Sequence, residues 1–204
     1  ENLHHVKQLN KSFGFDCSNL YIDTNSNEEK EVEKIIDKKN KYFVIFPGGN
    51  WSPKIWSAEN YNTLLKKISS QNQNIKYILV GSNIEKDLYY NKLVNGIDNE
   101  LIVDLFGATL TLTAAYMKKS NLFIGNDSGL MHLATACYLP TIALFGPTND
   151  IVYGPWGKEN IVIRTKENYN YFKKIKIDRN ISYMNSIAPE DVYAKIKSLG
   201  YHEK

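Results

Sequence analysis

The chain has 204 residues, 43% hydrophobic and 23% charged, the composition of a soluble globular protein with room for one good-sized core or two small ones. Its net charge of +3 falls short of the concentrated basic stripe that marks a nucleic-acid binder, so no nucleic-acid partner is expected. No run approaches the ~20 apolar residues of a membrane span, and no charged start leads into an apolar stretch as in a signal peptide.

Residues 1–27 read as a short leading segment that opens on Glu1 rather than Met and ends in the turn-rich "DTNSN". The next stretch, 28–40, predicts a surface helix with Val32, Ile35 and Ile36 on one face. Its acidic start and basic end suit the helix dipole. "YFVIF" (42–46) is a continuous apolar strand closed by Pro47, Gly48 and Gly49. A helix follows over 58–69, with Tyr61, Leu64, Leu65 and Ile68 at core spacing. Strands are then expected at 77–81, 101–105, 122–125, 141–146 and 161–165, with helices at 85–94, 111–120 and 129–138. The closing helix spans 188–201, its proline near the first turn, where a missing N–H is harmless. Cys17 and Cys137 stand far apart without metal-ligand spacing, and Cys137 reads as a small buried thiol in a reducing compartment.

Short apolar strands alternating with helices predict a doubly wound α/β fold, Rossmann-like, with a parallel sheet and right-handed crossovers. In such a sheet ligands bind beyond the carboxyl ends of the strands. The residues placed there are rich in glycine, hydroxyls and amides, the composition of a loop whose N–H groups approach a phosphate. After the first strand come Gly48, Gly49, Asn50 and Lys54; after the second, Ser82 and Glu85; after the third, Gly107; after the fourth, Gly125 to Gly129; after the fifth, Gly146 to Asn149.

Ser128 and Gly129 begin a helix, so free N–H groups and the positive end of the dipole form an anion site. His132, four residues after Ser128, lies over the same turn and can add a donor or a charge. Lys54 can supply a mobile ammonium. A carboxylate beside a diphosphate is repulsive, so Asp127 should face a sugar hydroxyl or cap its own helix. Each residue has a structural reading too. Asp127 or Ser128 can be a simple cap, His132 a satisfied core histidine, Lys54 a side chain lying along Trp56. Glu85 can be a surface carboxylate and the twin glycines a tight turn. Their arrival at one sheet edge favours the functional reading.

The dinucleotide G-x-G-x-x-G and the Walker lysine motif are missing. No nucleophile triad, paired-cysteine site or carboxylate pair for a metal is visible, so neither a cofactor nor a metal is expected. "NYNYFKKIKIDRNISY" (168–183) mixes aromatic and basic residues as a single-strand binder would, but reads as a surface loop and edge strand.

Four segments, in order, resemble glycosyltransferase family 9, the ADP-heptose:lipopolysaccharide heptosyltransferases: "FPGGNWSPKIWSAENYNTLL", "ILVGSNIEKD", "IVDLFGATLTLTAAYMKKSNLFIGNDSGLMHLATA" and "PTIALFGPTNDIVYGP". "SIAPEDVYAKIKSL" is similar to the family's closing helix. The resemblance implies a two-domain GT-B enzyme of which this chain is the C-terminal, nucleotide-sugar half. Residues 1–40 would belong to the inter-domain linker region, 41–204 to the donor-binding domain, and the N-terminal acceptor domain would be absent. By resemblance, Gly48, Gly49, Asn50 and Lys54 contact the diphosphate. Ser128, Gly129 and His132 cradle it, and Asp127 holds the sugar. Glu85 falls near the ribose, and Gly107 and Leu110 near the base. No catalytic base is identified here, because the family's belongs to the acceptor domain. Lys54 and His132 would stabilise the leaving diphosphate in an inverting displacement.

The implied partners are an ADP-sugar donor carrying heptose or a related sugar, a lipopolysaccharide core or other glycan acceptor, and a separate acceptor domain. The implied location is cytoplasmic, with a peripheral place at the inner face of the bacterial inner membrane left open. Two alternatives stand beside this reading: a non-catalytic nucleotide-binding module, and a different GT-B enzyme using a UDP-sugar.

Overall fold

A computed structural model describes residues 3–16 and 19–201; Cys17, and with it the reading of its spacing, lies outside them. Among the described residues six strands form one parallel sheet: β1 (Lys41–Phe46), β2 (Ile75–Leu79), β3 (Ile102–Asp104), β4 (Leu122–Asn126), β5 (Thr141–Phe145) and β6 (Ile161–Arg164). Their order is β3-β2-β1-β4-β5-β6. The chain winds one way from β1 to β3 and the other way from β4 to β6. The loops after β1 and β4 therefore diverge at a switch point, where such sheets hold their ligands.

The continuous apolar runs follow from burial on both faces. Side chains alternate along β1, so Phe43 and Ile45 enter one core layer while Tyr42, Val44 and Phe46 enter the other. The first layer packs against helices over Ala58–Gln71 and Pro189–Ser198, the second against helices over Leu110–Lys118 and Gly129–Ala136. In chain order the helices are α1 (His5–Phe13), α2 (Ser26–Ile35), α3 (Ala58–Gln71), α4 (Asn83–Val94), α5 (Leu110–Lys118), α6 (Gly129–Ala136), α7 (Asp150–Tyr153), α8 (Tyr169–Phe172) and α9 (Pro189–Ser198).

Three departures from the sequence reading have local causes. The helix expected over 28–40 starts earlier, at an Asn25–Glu28 capping box, and stops at Ile35. Beyond it the Asp37 carboxylate accepts from the N–H groups of Lys39 (2.7 Å) and Asn40 (2.9 Å), a local turn that competes with helix. Hydrogen bonds led by the Asn40 side chain lower that carboxyl to about 2. Val32 is buried, but Ile35 is 47% exposed and off the core face. Secondly, β2 begins at Ile75 rather than 77, because its ladder starts opposite Lys41. Thirdly, the edge strand expected within 168–183 is instead the single turn α8 followed by loop.

The leading segment also holds a helix the pattern did not show. No residue of α1 is buried. It is anchored at its start, where His4 Nδ1 accepts from Val6 N–H (3.2 Å) and Nε2 meets the Gly154 carbonyl (2.9 Å). Cys137 is buried as expected, and burial pushes its thiol up to about 11. No helix among the described residues is long and apolar enough to cross a membrane.

Candidate functional site

A pocket of about 1080 Å³ opens at the carboxyl ends of β1, β2 and β4. Its wall includes Gly49, Asn50, Lys54, Glu85, Gly107, Leu110, Asp127, Ser128, Gly129 and His132. Gly48 is not on that wall. It is buried behind the loop, and its carbonyl accepts from Asn126 Nδ2 at 2.9 Å. A side chain at Gly48 would start 1.9 Å from Glu85 Oε1, so glycine here makes room for a carboxylate rather than for a ligand.

Glu85 closes a capping box at the start of α4, where its Oε2 accepts from Ser82 N–H (2.8 Å) and Ser82 Oγ–H (2.9 Å). Its Oε1 accepts from the Gly49 N–H at 2.8 Å. One carboxylate thus ties the loop after β1 to the loop after β2. The Gly49 amide, expected to face an anion, is engaged by this side chain.

The tip of α6 is different. Ser128 is in extended conformation, and its Oγ accepts from Met131 N–H at 3.2 Å. Ser128, not Asp127, is therefore the cap, which removes the capping alternative for Asp127. Among the described residues nothing accepts from the N–H groups of Gly129 and Leu130. A Cβ built on Gly129 meets no atom within 4 Å, so this helix start faces open space. With Ser128 holding only one of the first-turn donors, the positive end of the dipole is left for an anion.

Three side chains surround that tip. Lys54 ends the single 3-10 turn Ser52–Lys54, and its Nζ lies 3.3 Å from Asp127 Oδ2. Both side chains are largely covered, 14% and 9% exposed. Lys54 is thus not an exposed side chain, and Trp56 is fully buried and donates its Nε1–H to the Ile187 carbonyl at 2.9 Å. The His132 ring makes no hydrogen bond among the described residues, so it is not a satisfied core histidine. Burial, opposed by the Asp127 carboxylate and reinforced by the Lys54 ammonium, holds its imidazole below the usual histidine value. At neutral pH the ring is uncharged, an unpaired donor or acceptor beside the helix tip.

Sequence reasoning placed Asn126 in the loop but gave it no role. Its amide is fully buried and fully used. Oδ1 accepts from Trp56 N–H (3.1 Å) and Tyr61 O–H (3.2 Å), while Nδ2 donates to the carbonyls of Pro47 (3.0 Å) and Gly48 (2.9 Å). It binds the loop that carries Lys54 to the strand end that carries Asp127. The available signal was an amide ending a buried strand, since such a group must find a partner for every polar atom. Tyr21 and Ile22 of the leading segment also reach the wall, and no local pattern announces so distant a contact.

The loop after β5 does not join the pocket. Arg164 donates to the carbonyls of Gly146 (2.5 Å) and Thr148 (3.5 Å) and pairs with Asp150, closing this loop on itself. Among the described residues, no group of three or more His, Cys, Asp or Glu is placed to hold a metal ion.

The sequence model of glycosyltransferase family 9 (heptosyltransferase) matches residues 5–182. Lipopolysaccharide heptosyltransferase 3 of Escherichia coli K12 is 28% identical over 163 residues, which cover 79% of this chain and 47% of that one. The crystal structure of the glycosyl transferase family 9 from Veillonella parvula DSM 2008 superposes with a TM-score of 0.74 at 24% identity, over 90% of this chain and 54% of that one. The structure of E. coli heptosyltransferase WaaC with ADP does so with a TM-score of 0.70 at 19% identity, over 97% and 57%. The chain spans about half the length of the curated relatives it matches. With a family match covering most of its residues, a sheet of the same architecture and a pocket at the switch point, the chain belongs to glycosyltransferase family 9.

Proposed function

We propose that this chain is the donor-binding half of a heptosyltransferase. It takes up an ADP-sugar, heptose or a related one, for transfer to a lipopolysaccharide core. The observation that carries this is the open start of α6, where two unengaged N–H groups, the Lys54 ammonium and an unbonded imidazole surround one pocket. The names of the relatives supply the sugar, the nucleotide and the acceptor.

In this reading the diphosphate rests on the Gly129 and Leu130 amides. Lys54 and His132 flank it, and Asp127 takes hydroxyls of the sugar. Glu85, Gly107 and Leu110 border the ribose and base. An acceptor hydroxyl attacks the anomeric carbon from the face opposite the diphosphate, and its proton passes to a base on the acceptor domain, outside these residues. Negative charge grows on the departing diphosphate as the glycosidic bond breaks. The helix dipole, the Lys54 ammonium and a proton on or from His132 stabilise that charge where it develops, which is how a preorganised site lowers a barrier. Residues 1–40 are assigned to the linker region and 41–204 to the donor domain, with the whole acting at the cytoplasmic face of the inner membrane.

Isothermal titration of the chain with ADP and UDP tests the reading. It predicts ADP binding and at least about tenfold weaker binding of UDP. Equal binding would move the chain to a UDP-sugar enzyme, and no binding of either would remove the donor role.

A further inference from the structure

We infer that Asp127 makes this pocket discriminate a complete nucleotide-sugar from the bare nucleotide diphosphate, by holding Lys54 whenever no sugar is present. The inference rests on the donor-site reading above and assigns a specificity to it. Asp127 immediately precedes the cap of α6, so its carboxylate stands beside the place where the dipole invites an anion. Its Oδ2 faces Lys54 Nζ at 3.3 Å, and neither side chain makes another hydrogen bond among the described residues. Both are largely covered, so each depends on the other for the charge compensation that water would otherwise give.

A bare diphosphate that draws Lys54 to itself leaves this carboxylate unpaired and close to a like charge. Only a ligand that brings its own donors repairs that loss. Sugar hydroxyls do so, because a carboxylate accepts charge-assisted hydrogen bonds at both oxygens. The backbone on either side is fixed, Trp56 by Asn126 Oδ1 and Asp127 N–H by the Leu144 carbonyl (3.2 Å). The exchange of partners therefore falls to the lysine side chain, with its four rotatable carbons. When transfer removes the sugar, Asp127 reclaims Lys54 and the spent nucleotide is weakened in place.

The test is calorimetry of the 204-residue chain with ADP and with ADP-heptose, comparing wild type, Asp127→Asn, Lys54→Met and the double variant. The inference predicts that Asp127→Asn tightens ADP, on the order of fivefold to tenfold, while weakening ADP-heptose, so that the preference for the complete donor collapses. In the Lys54→Met background only the carboxylate's own repulsion of the diphosphate remains, so the same change should give a smaller gain in ADP affinity there. Unchanged or weaker ADP binding by Asp127→Asn overturns the inference. So does a gain that persists undiminished without Lys54, which would show simple repulsion. Asp127→Ser reads the same quantities should the asparagine variant not fold. Failure of wild type to bind ADP at all would instead overturn the donor-site reading.

Discussion

Two loops leave the same edge of the sheet with similar polar content, and only one of them lines the pocket. After β4 the chain runs Asn126-Asp127-Ser128-Gly129; after β5 it runs Gly146-Pro147-Thr148-Asn149. The second loop is closed by Arg164, whose guanidinium takes two of its carbonyls and the Asp150 carboxylate. Thr148 Oγ1 and Arg164 Nε are buried there without a hydrogen-bond partner among the described residues. The first loop is held from behind by Asn126 and left open in front, with unengaged amides facing the pocket. Polar residues after a strand become a site when their donors are held in place and left unspent.

The largest effect should come from the support behind the open loop. Asn126→Ala removes four hydrogen bonds and strands buried partners, a loss of about 3 kcal/mol. Chemical denaturation should show that loss, and ADP binding should fall with it. Next, Arg164→Met should cost about 2 kcal/mol, since the pair with Asp150 is only partly buried. Its ADP affinity should stay within about twofold of wild type; a large loss would erase the distinction between the two loops. Third, Lys54→Ala should weaken ADP-heptose and His132→Ala should weaken ADP, each about tenfold by titration, as charge-assisted contacts do. Lys119→Ala, exposed and not part of the pocket wall, is the control. Lys118 is unsuited to that purpose, since its ammonium lies 5.4 Å from the ring centroid of Tyr21 on the pocket wall.

The smallest effect is one of pH. Burial lowers the His132 imidazole below its free value of 6.5, so the unfolded chain binds that proton more readily than the folded one. Its contribution to stability is full above the free value and is lost as pH falls through the lowered one. His132→Gln should therefore flatten the decline of melting temperature as pH falls below about 6.5. A diphosphate favours the protonated ring, so ADP binding should take up protons near neutral pH, seen as a dependence of binding heat on buffer ionisation heat.

The sheet and its order of elements could be read from the chain because two-sided burial writes strands as unbroken apolar runs, as in "YFVIF" and "TIALF". Short elements without a long apolar face, α7 and α8, left no such mark. At the pocket, residue types and spacing pointed to the sheet edge at which it opens. What they could not resolve was competition among polar partners. Asp127 and Ser128 are both good caps, and only the extended backbone at Ser128 decides between them. Gly48 and Gly49 look equivalent in sequence, yet the Glu85 carboxylate fills the space beside one and takes the N–H of the other. The choice between the two glycines depends on a residue 36 positions from Gly49, beyond any local pattern.

The most direct measurement is an amide nuclear magnetic resonance titration of the chain with ADP. The account predicts that the Gly129 and Leu130 amides shift first and furthest, with the His132 ring following. Shifts centred on Gly146 to Asn149, or an α6 tip that stays silent while ADP binds, would contradict it.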